Sequence, residues 1–128
     1  MERIQVAVAA QDRAVRTALS SALVHKEIDL VDTMSPSIAA VNRIVSQPAD
    51  AVVLFNDGTD AVYELAERLY IGKSVAVVVM VCPDMTASVL QRVVDCGASK
   101  AVDYKSIQEE LAESVIKTVR REKSRALA

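Results

Sequence analysis

Two short polar stretches, each set directly behind a run of apolar residues, hold the side chains best placed to do chemistry: Gln11-Asp12-Arg13 after Ile4 to Ala10, and Asn56-Asp57-Gly58 after Ala51 to Phe55. Carboxylates at such points serve as metal ligands, general bases or nucleophiles, and each task needs a partner within bonding reach. Nucleotide binding is excluded early. The turn Ala9-Ala10-Gln11-Asp12-Arg13 has no glycine, so it cannot bring backbone amides close to a pyrophosphate, and a phosphate-binding loop is absent. The lone His25 belongs to no recognisable nucleophile-base pair, and the chain is expected not to be an enzyme. Cys82 and Cys96 are too few and too far apart for a disulfide framework or a zinc cluster, so reduced, buried thiols are expected and no cofactor or metal is implied.

The elements that must carry these residues follow from the hydrophobic period. Short apolar runs of strand length alternate with stretches apolar at every third or fourth residue, the pattern of a helix lying on a sheet. The runs are Ile4 to Ala9, Ile28 to Val31, Ala51 to Phe55, Val75 to Val81 and, weakly, Ala101-Val102. The helical faces are Val15, Leu19, Ala22 and Leu23; Ile38, Val41, Ile44 and Val45; Val62, Leu65, Ala66 and Leu69; Val89, Leu90, Val93 and Val94; and Ile107, Leu111, Val115 and Val119. Five strand-helix units with short connections predict a flavodoxin-like α/β fold, with a parallel sheet in the order 2-1-3-4-5 and five flanking helices. A site should then lie beyond the carboxyl ends of the first and third strands, at Ala10-Gln11-Asp12 and Phe55-Asn56-Asp57-Gly58.

Punctuation supports the same division. Ser35-Pro36 reads as a cap followed by proline at the first helical position, Asp12, Asp60 and Thr86 as further caps with Asp84 competing for the last, and Ser106 with Glu109 as a capping box. Gly72 and Gly97 stand where helices should end in the left-handed conformation. With 128 residues there is one core. Hydrophobic residues make up 52% but aromatics only 3%, so that core is aliphatic, as suits parallel strands under helices. Lys and Arg number 15 against 17 acidic residues, and a net charge of -2 argues against a nucleic-acid partner. The longest apolar run, Val75 to Cys82, is too short to cross a bilayer; no membrane insertion and a cytoplasmic location are expected. Lys117, Arg120, Arg121, Lys123 and Arg125 read as a solvated helix end complementing the helix dipole. Residues 1–119 are expected to form the domain, and 120–128 a helix end or linker toward a downstream domain.

The pattern resembles the receiver domains of bacterial response regulators over nearly the whole chain. The likeness rests on the five units, on Asp12 to Leu19 with Val15-Arg16, on Ala49-Asp50 before the third strand, and on Gly97-Ala98 before the fifth. It implies an acidic pair after the first strand, a phospho-accepting aspartate ending the third, Ser or Thr ending the fourth and Lys after the fifth. Those positions hold Ala10 and Gln11, Phe55, Cys82 and Tyr104, with Lys105 one place beyond. Alanine and phenylalanine supply neither the oxygen cage of a magnesium ion nor a nucleophile, so the resemblance is to a degenerate pseudo-receiver with its phosphorylation pocket lost. Phe55 is expected to be mostly buried, closing that pocket, so that Phe55→Ala should cost about 3 to 5 kcal/mol. If instead the third strand runs on to Asn56, Asp57 becomes an alternative phospho-acceptor with Asp12 as its lone acidic partner.

The resemblance also bears on function. Degenerate receivers of this kind are similar to the amino-terminal domains of TadZ/CpaE-type pilus-assembly proteins, which precede a MinD/ParA-like ATPase, and to pseudo-receivers of RNA-binding or transcriptional regulators. It implies a protein-interaction and localisation module that binds a protein partner or a second copy, as a possible homodimer, through the fourth helix, fifth strand and fifth helix. Met85, Gln91 and Arg92 of the fourth helix, Lys100 and Tyr104 around the fifth strand, and Glu110 and Glu113 of the fifth helix would form that face.

Overall fold

The computed structural model describes residues 3–47, 49–72 and 77–127. Strands and helices alternate throughout, as β1 (Ile4–Ala9), α1 (Arg13–Ala22), β2 (Ile28–Met34), α2 (Ile38–Ser46), β3 (Ala51–Phe55), α3 (Asp60–Ile71), β4 (Val77–Cys82), α4 (Ala87–Asp95), β5 (Lys100–Asp103) and α5 (Ile107–Leu127). The strands form one parallel sheet in the order β2-β1-β3-β4-β5, as the period predicts. Val75, expected to open the fourth strand, lies outside the described residues. The edge strand β2 continues past the apolar run through Asp32 and Thr33 to Met34, because an edge strand can keep polar side chains in solvent.

Strand residues alternate between two cores. Val6, Val8, Val53, Val79 and Val81 face α1 and α5, where Leu19, Leu23, Leu111, Val115 and Val119 close over them. Ala7, Val52, Leu54, Val78 and Met80 face α2, α3 and α4, under Ile44, Leu65, Leu69 and Val93. Two residues assigned to helical core stripes point outward: Val45 is 58% exposed and Val94 67% exposed. Among the described side chains, the nine-residue helices α2 and α4 bury narrow stripes, Ala40 with Ile44 and Val93 with the following Cys96.

Asp12 caps α1, its Oδ1 accepting from the Ala14 amide at 2.7 Å, and Thr86 caps α4, accepting from Val89 at 3.3 Å. Three expected starts differ. Thr59 precedes α3 and Asp60 is its first helical residue. Ser37 precedes α2, while Ser35 instead accepts from Arg16 at 3.2 Å. A 3-10 turn, Tyr104–Ser106, leads into α5 and is capped by Asp103, which accepts from the Lys105 amide at 3.0 Å, so Ser106 lies within the turn rather than opening the helix. Gly97 has a φ of 87°, as expected, whereas Gly72 has a φ of -76° and stays right-handed.

Candidate functional site

The carboxyl edge of the sheet gathers the ends of β1, β3, β4 and β5. Phe55 closes β3 beside Val81, and Tyr104 follows β5. Their rings meet edge to face, with centroids 5.2 Å apart and planes at 70°. Both rings are partly buried against the α1/α5 core. Phe55 is mostly buried, as expected, and helps to close this end of the sheet, though part of its surface stays exposed. The aromatic pair joins the two positions at which the resemblance calls for a nucleophilic aspartate and its lysine.

The β1–α1 loop is held by one guanidinium. Arg16 donates to the Ala10 carbonyl at 2.7 Å and to the Gln11 carbonyl at 3.3 Å, besides its bond to Ser35. Ala10 is fully buried and its amide donates to the Met34 carbonyl at 3.0 Å, while Gln11 is exposed. At the end of β3 the buried Asn56 makes a dense set of bonds. Its amide donates to the Val81 carbonyl at 2.8 Å, its Nδ2 donates to the Tyr63 hydroxyl at 2.6 Å and points at the Cys82 sulfur at 3.7 Å, and its Oδ1 accepts from Gly58 at 3.0 Å. Burial pushes the Cys82 thiol up, with the Asn56 hydrogen bond acting against it. Cys96 is likewise raised, chiefly by burial. Both cysteines are free and buried.

Asp57 is exposed, and its Oδ1 accepts from the Thr59 amide at 3.0 Å and from the Thr59 hydroxyl at 2.6 Å. That is a self-contained Asx turn leading into α3. Asn56, Asp57, Gly58, Tyr63, Pro83, Asp84 and Val89 line a cleft of about 130 Å³. Asn56 and Asp57 thus share one cleft, whereas Ala10, Gln11, Phe55, Tyr104 and the exposed Lys105 do not line it.

A magnesium-class cation demands an oxygen cage with carboxylates, and Ala10, Gln11 and Phe55 do not provide one. Among the described residues no group of three His, Cys, Asp or Glu side chains could hold a metal ion. The residues present do not fit such an ion.

The seven residues of the expected interaction face are not all brought together. Met85 lies in the loop before α4, not within the helix. Gln91 donates to Asp95 at 2.9 Å. Arg92 turns to α3, pairing with Asp60 and lying over the Tyr63 ring at 4.0 Å, and Glu113 turns to the loop between α1 and β2, 3.7 Å from His25. Lys100, Tyr104 and Glu110 remain around β5 and the start of α5. Reasoning from the sequence misses the Arg16 clamp and the bond between Asn56 and Tyr63. An amide residue following a wholly apolar strand was the available signal for the second; the first had none.

No protein-family model matches the chain, and no curated protein matches it with significance. Solved structures do. The signal receiver domain of NarL from Mycobacterium tuberculosis superposes with a TM-score of 0.82 at 17% identity, over 94% of this chain and 98% of that one. The signal receiver domain of a modulated diguanylate cyclase from Desulfovibrio desulfuricans G20 gives 0.82 at 15% identity, over 97% and 99%. The response regulator domain of Thermotoga maritima CheB gives 0.81 at 14%, over 93% and 98%. The chain therefore has the fold of response-regulator receiver domains.

Proposed function

We propose that this chain is a receiver-like module that works without phosphoryl transfer, docking a protein partner and so placing or regulating an output domain. The observation that carries the reading is the contact between Phe55 and Tyr104, which sets an apolar ring pair where a phospho-accepting receiver needs a carboxylate and a cation. The clamped β1–α1 loop supports it, since Ala10 is buried and neither it nor Gln11 carries a charge for a metal. In this reading the domain is cytoplasmic, is no enzyme and binds no nucleic acid. The output is a MinD/ParA-like ATPase of pilus assembly, a choice that rests on overall likeness to TadZ/CpaE-type proteins. Among the described residues no helix is long and apolar enough to cross a membrane.

Intact mass after incubation with acetyl phosphate and magnesium tests the proposal. No adduct is expected. A phosphate adduct that disappears in Asp57→Asn would overturn it and establish a phosphorylatable receiver using Asp57 instead.

A further inference from the structure

The basic residues of α5 fall into two groups. Arg120 pairs with Glu27, Lys123 with Asp50 at 3.2 Å and Arg125 with Glu122 at 3.2 Å. Lys117 and Arg121 make no ion pair among the described residues; with Lys100 of β5, Ser114 and Thr118 they line a groove of about 380 Å³ that holds three cations and no carboxylate. All three cations are exposed. Thr118 at the floor is buried, its hydroxyl turned back onto the Ser114 carbonyl at 2.6 Å, so the groove's outward chemistry is cationic.

Across the molecule, between α3 and α4, a second groove of about 310 Å³ has the opposite sign. Asp60, Glu64, Glu67 and Asp95 line it against the single guanidinium of Arg92. Arg92 answers Asp60, and Arg68 answers Glu64 at 3.1 Å, which leaves Glu67 and Asp95 without a cationic partner among the described residues. One chain thus carries two grooves of similar size and opposite uncompensated charge on different elements.

We propose that the occupant of the basic β5–α5 groove is the acidic α3–α4 groove of a second copy, giving head-to-tail self-association. This deepens the reading of the chain as an interaction module and rests on it. The charges decide the geometry. A symmetric dimer centred on the β5–α5 groove would bring Lys100, Lys117 and Arg121 against themselves, and like charges facing each other are repelled. A heterologous contact instead pairs each groove with its complement and leaves one of each free, so it extends into a ring or an open chain. Such an array of weakly held copies would concentrate attached output domains at one place. Because the charges are exposed, the contact is weak and screened by salt.

Sedimentation velocity of the 128-residue chain over a wide concentration range tests this. At low salt the weight-average sedimentation coefficient should rise with concentration, and raising salt from about 0.05 M to about 0.5 M should weaken association about tenfold or more. Lys117→Gln with Arg121→Gln neutralises one face and Glu67→Gln with Asp95→Asn the other; each doubly substituted chain should be monomeric while keeping its melting transition. Mixed in equal amounts, the two retain one intact groove each and should form a one-to-one complex that grows no further. Wild-type chain that stays monomeric at low salt, doubly substituted chains that self-associate like wild type, or a mixture that stays monomeric would overturn the proposal. A monomeric wild type that also takes no phosphate would leave the module reading standing and remove only this inference.

Discussion

Replacing Phe55 by alanine should lower the stability of the domain by about 2 to 4 kcal/mol. Truncating a fully buried phenylalanine costs about 3 to 5 kcal/mol, but Phe55 keeps part of its surface exposed, so about half of that or somewhat more is at stake. Its edge-to-face contact with Tyr104 adds about 0.5 to 1.5 kcal/mol beyond the area buried. The second contribution is separable. In a double-mutant cycle of Phe55→Ala and Tyr104→Ala the combined loss should fall short of the sum of the single losses by about 0.5 to 1.5 kcal/mol. Urea unfolding followed by circular dichroism measures all four corners, provided the slope with denaturant is unchanged. A loss below about 1 kcal/mol for Phe55→Ala would show that the ring contributes little to the core. Losses that add to within about 0.3 kcal/mol would show that the two rings do not support each other, and the account of the carboxyl edge would fail.

The two left-handed glycines should respond differently to alanine. A Cβ on Gly97 would run into the Tyr70 ring as well as forcing an L residue to a φ of 87°, whereas one on Gly58, at 84°, meets open space. Gly58→Ala should therefore cost about 1 to 2 kcal/mol and Gly97→Ala clearly more, as read from thermal unfolding; equal losses would mean that Tyr70 moves aside freely. Stability should also fall at alkaline pH. Cys82 and Cys96 stay protonated in the folded chain because burial raises them, while the unfolded chain releases those protons above about pH 8.5, so the stability is full below that point and declines above it. Urea midpoints from about pH 7 to about pH 10 should show the decline, and Cys82→Ala with Cys96→Ala should flatten it. A parallel decline in both proteins would assign the effect to other groups.

The sheet was legible because β3, β4 and, from Val6 onward, β1 are buried on both faces and so read as continuous apolar runs, each too short to be mistaken for a long helix. Helix boundaries were less so. Ser35, Asp60 and Ser106 are all residues that cap helices well, but which hydroxyl or carboxylate meets a free amide depends on where the loop delivers the chain, and that is set by tertiary contacts such as Arg16 with Ser35. Helical period alone could not tell Val94 from Val93, since both fit a stripe of ordinary width and only the packing against the sheet rotates one of them outward. The candidate site was located by the reversal in strand order, and its missing carboxylates could be read position by position. The bond from Asn56 to the Tyr63 hydroxyl joins the end of a strand to a helix, and the pairing of Phe55 with Tyr104 spans the sheet from β3 to the residue after β5. Apart from the amide residue that follows an apolar strand, contacts of that range leave no local signal in the sequence. The same holds for the sorting of α5 cations into paired and unpaired groups, because Glu27 and Asp50 reach the helix only through the fold.

Whether this receiver fold carries a phosphoryl switch can be read from the amide correlation spectrum of the isotope-labelled domain. Spectra recorded with and without millimolar magnesium and beryllofluoride, a mimic of the phosphoryl group, should superimpose, with no shifts at Asn56, Asp57, Cys82 or Tyr104. Saturable shifts confined to the carboxyl edge of the sheet and spreading to α4 and β5 would contradict the account, for they would show that the edge still binds the ion and the phosphoryl group and passes the change to the surface.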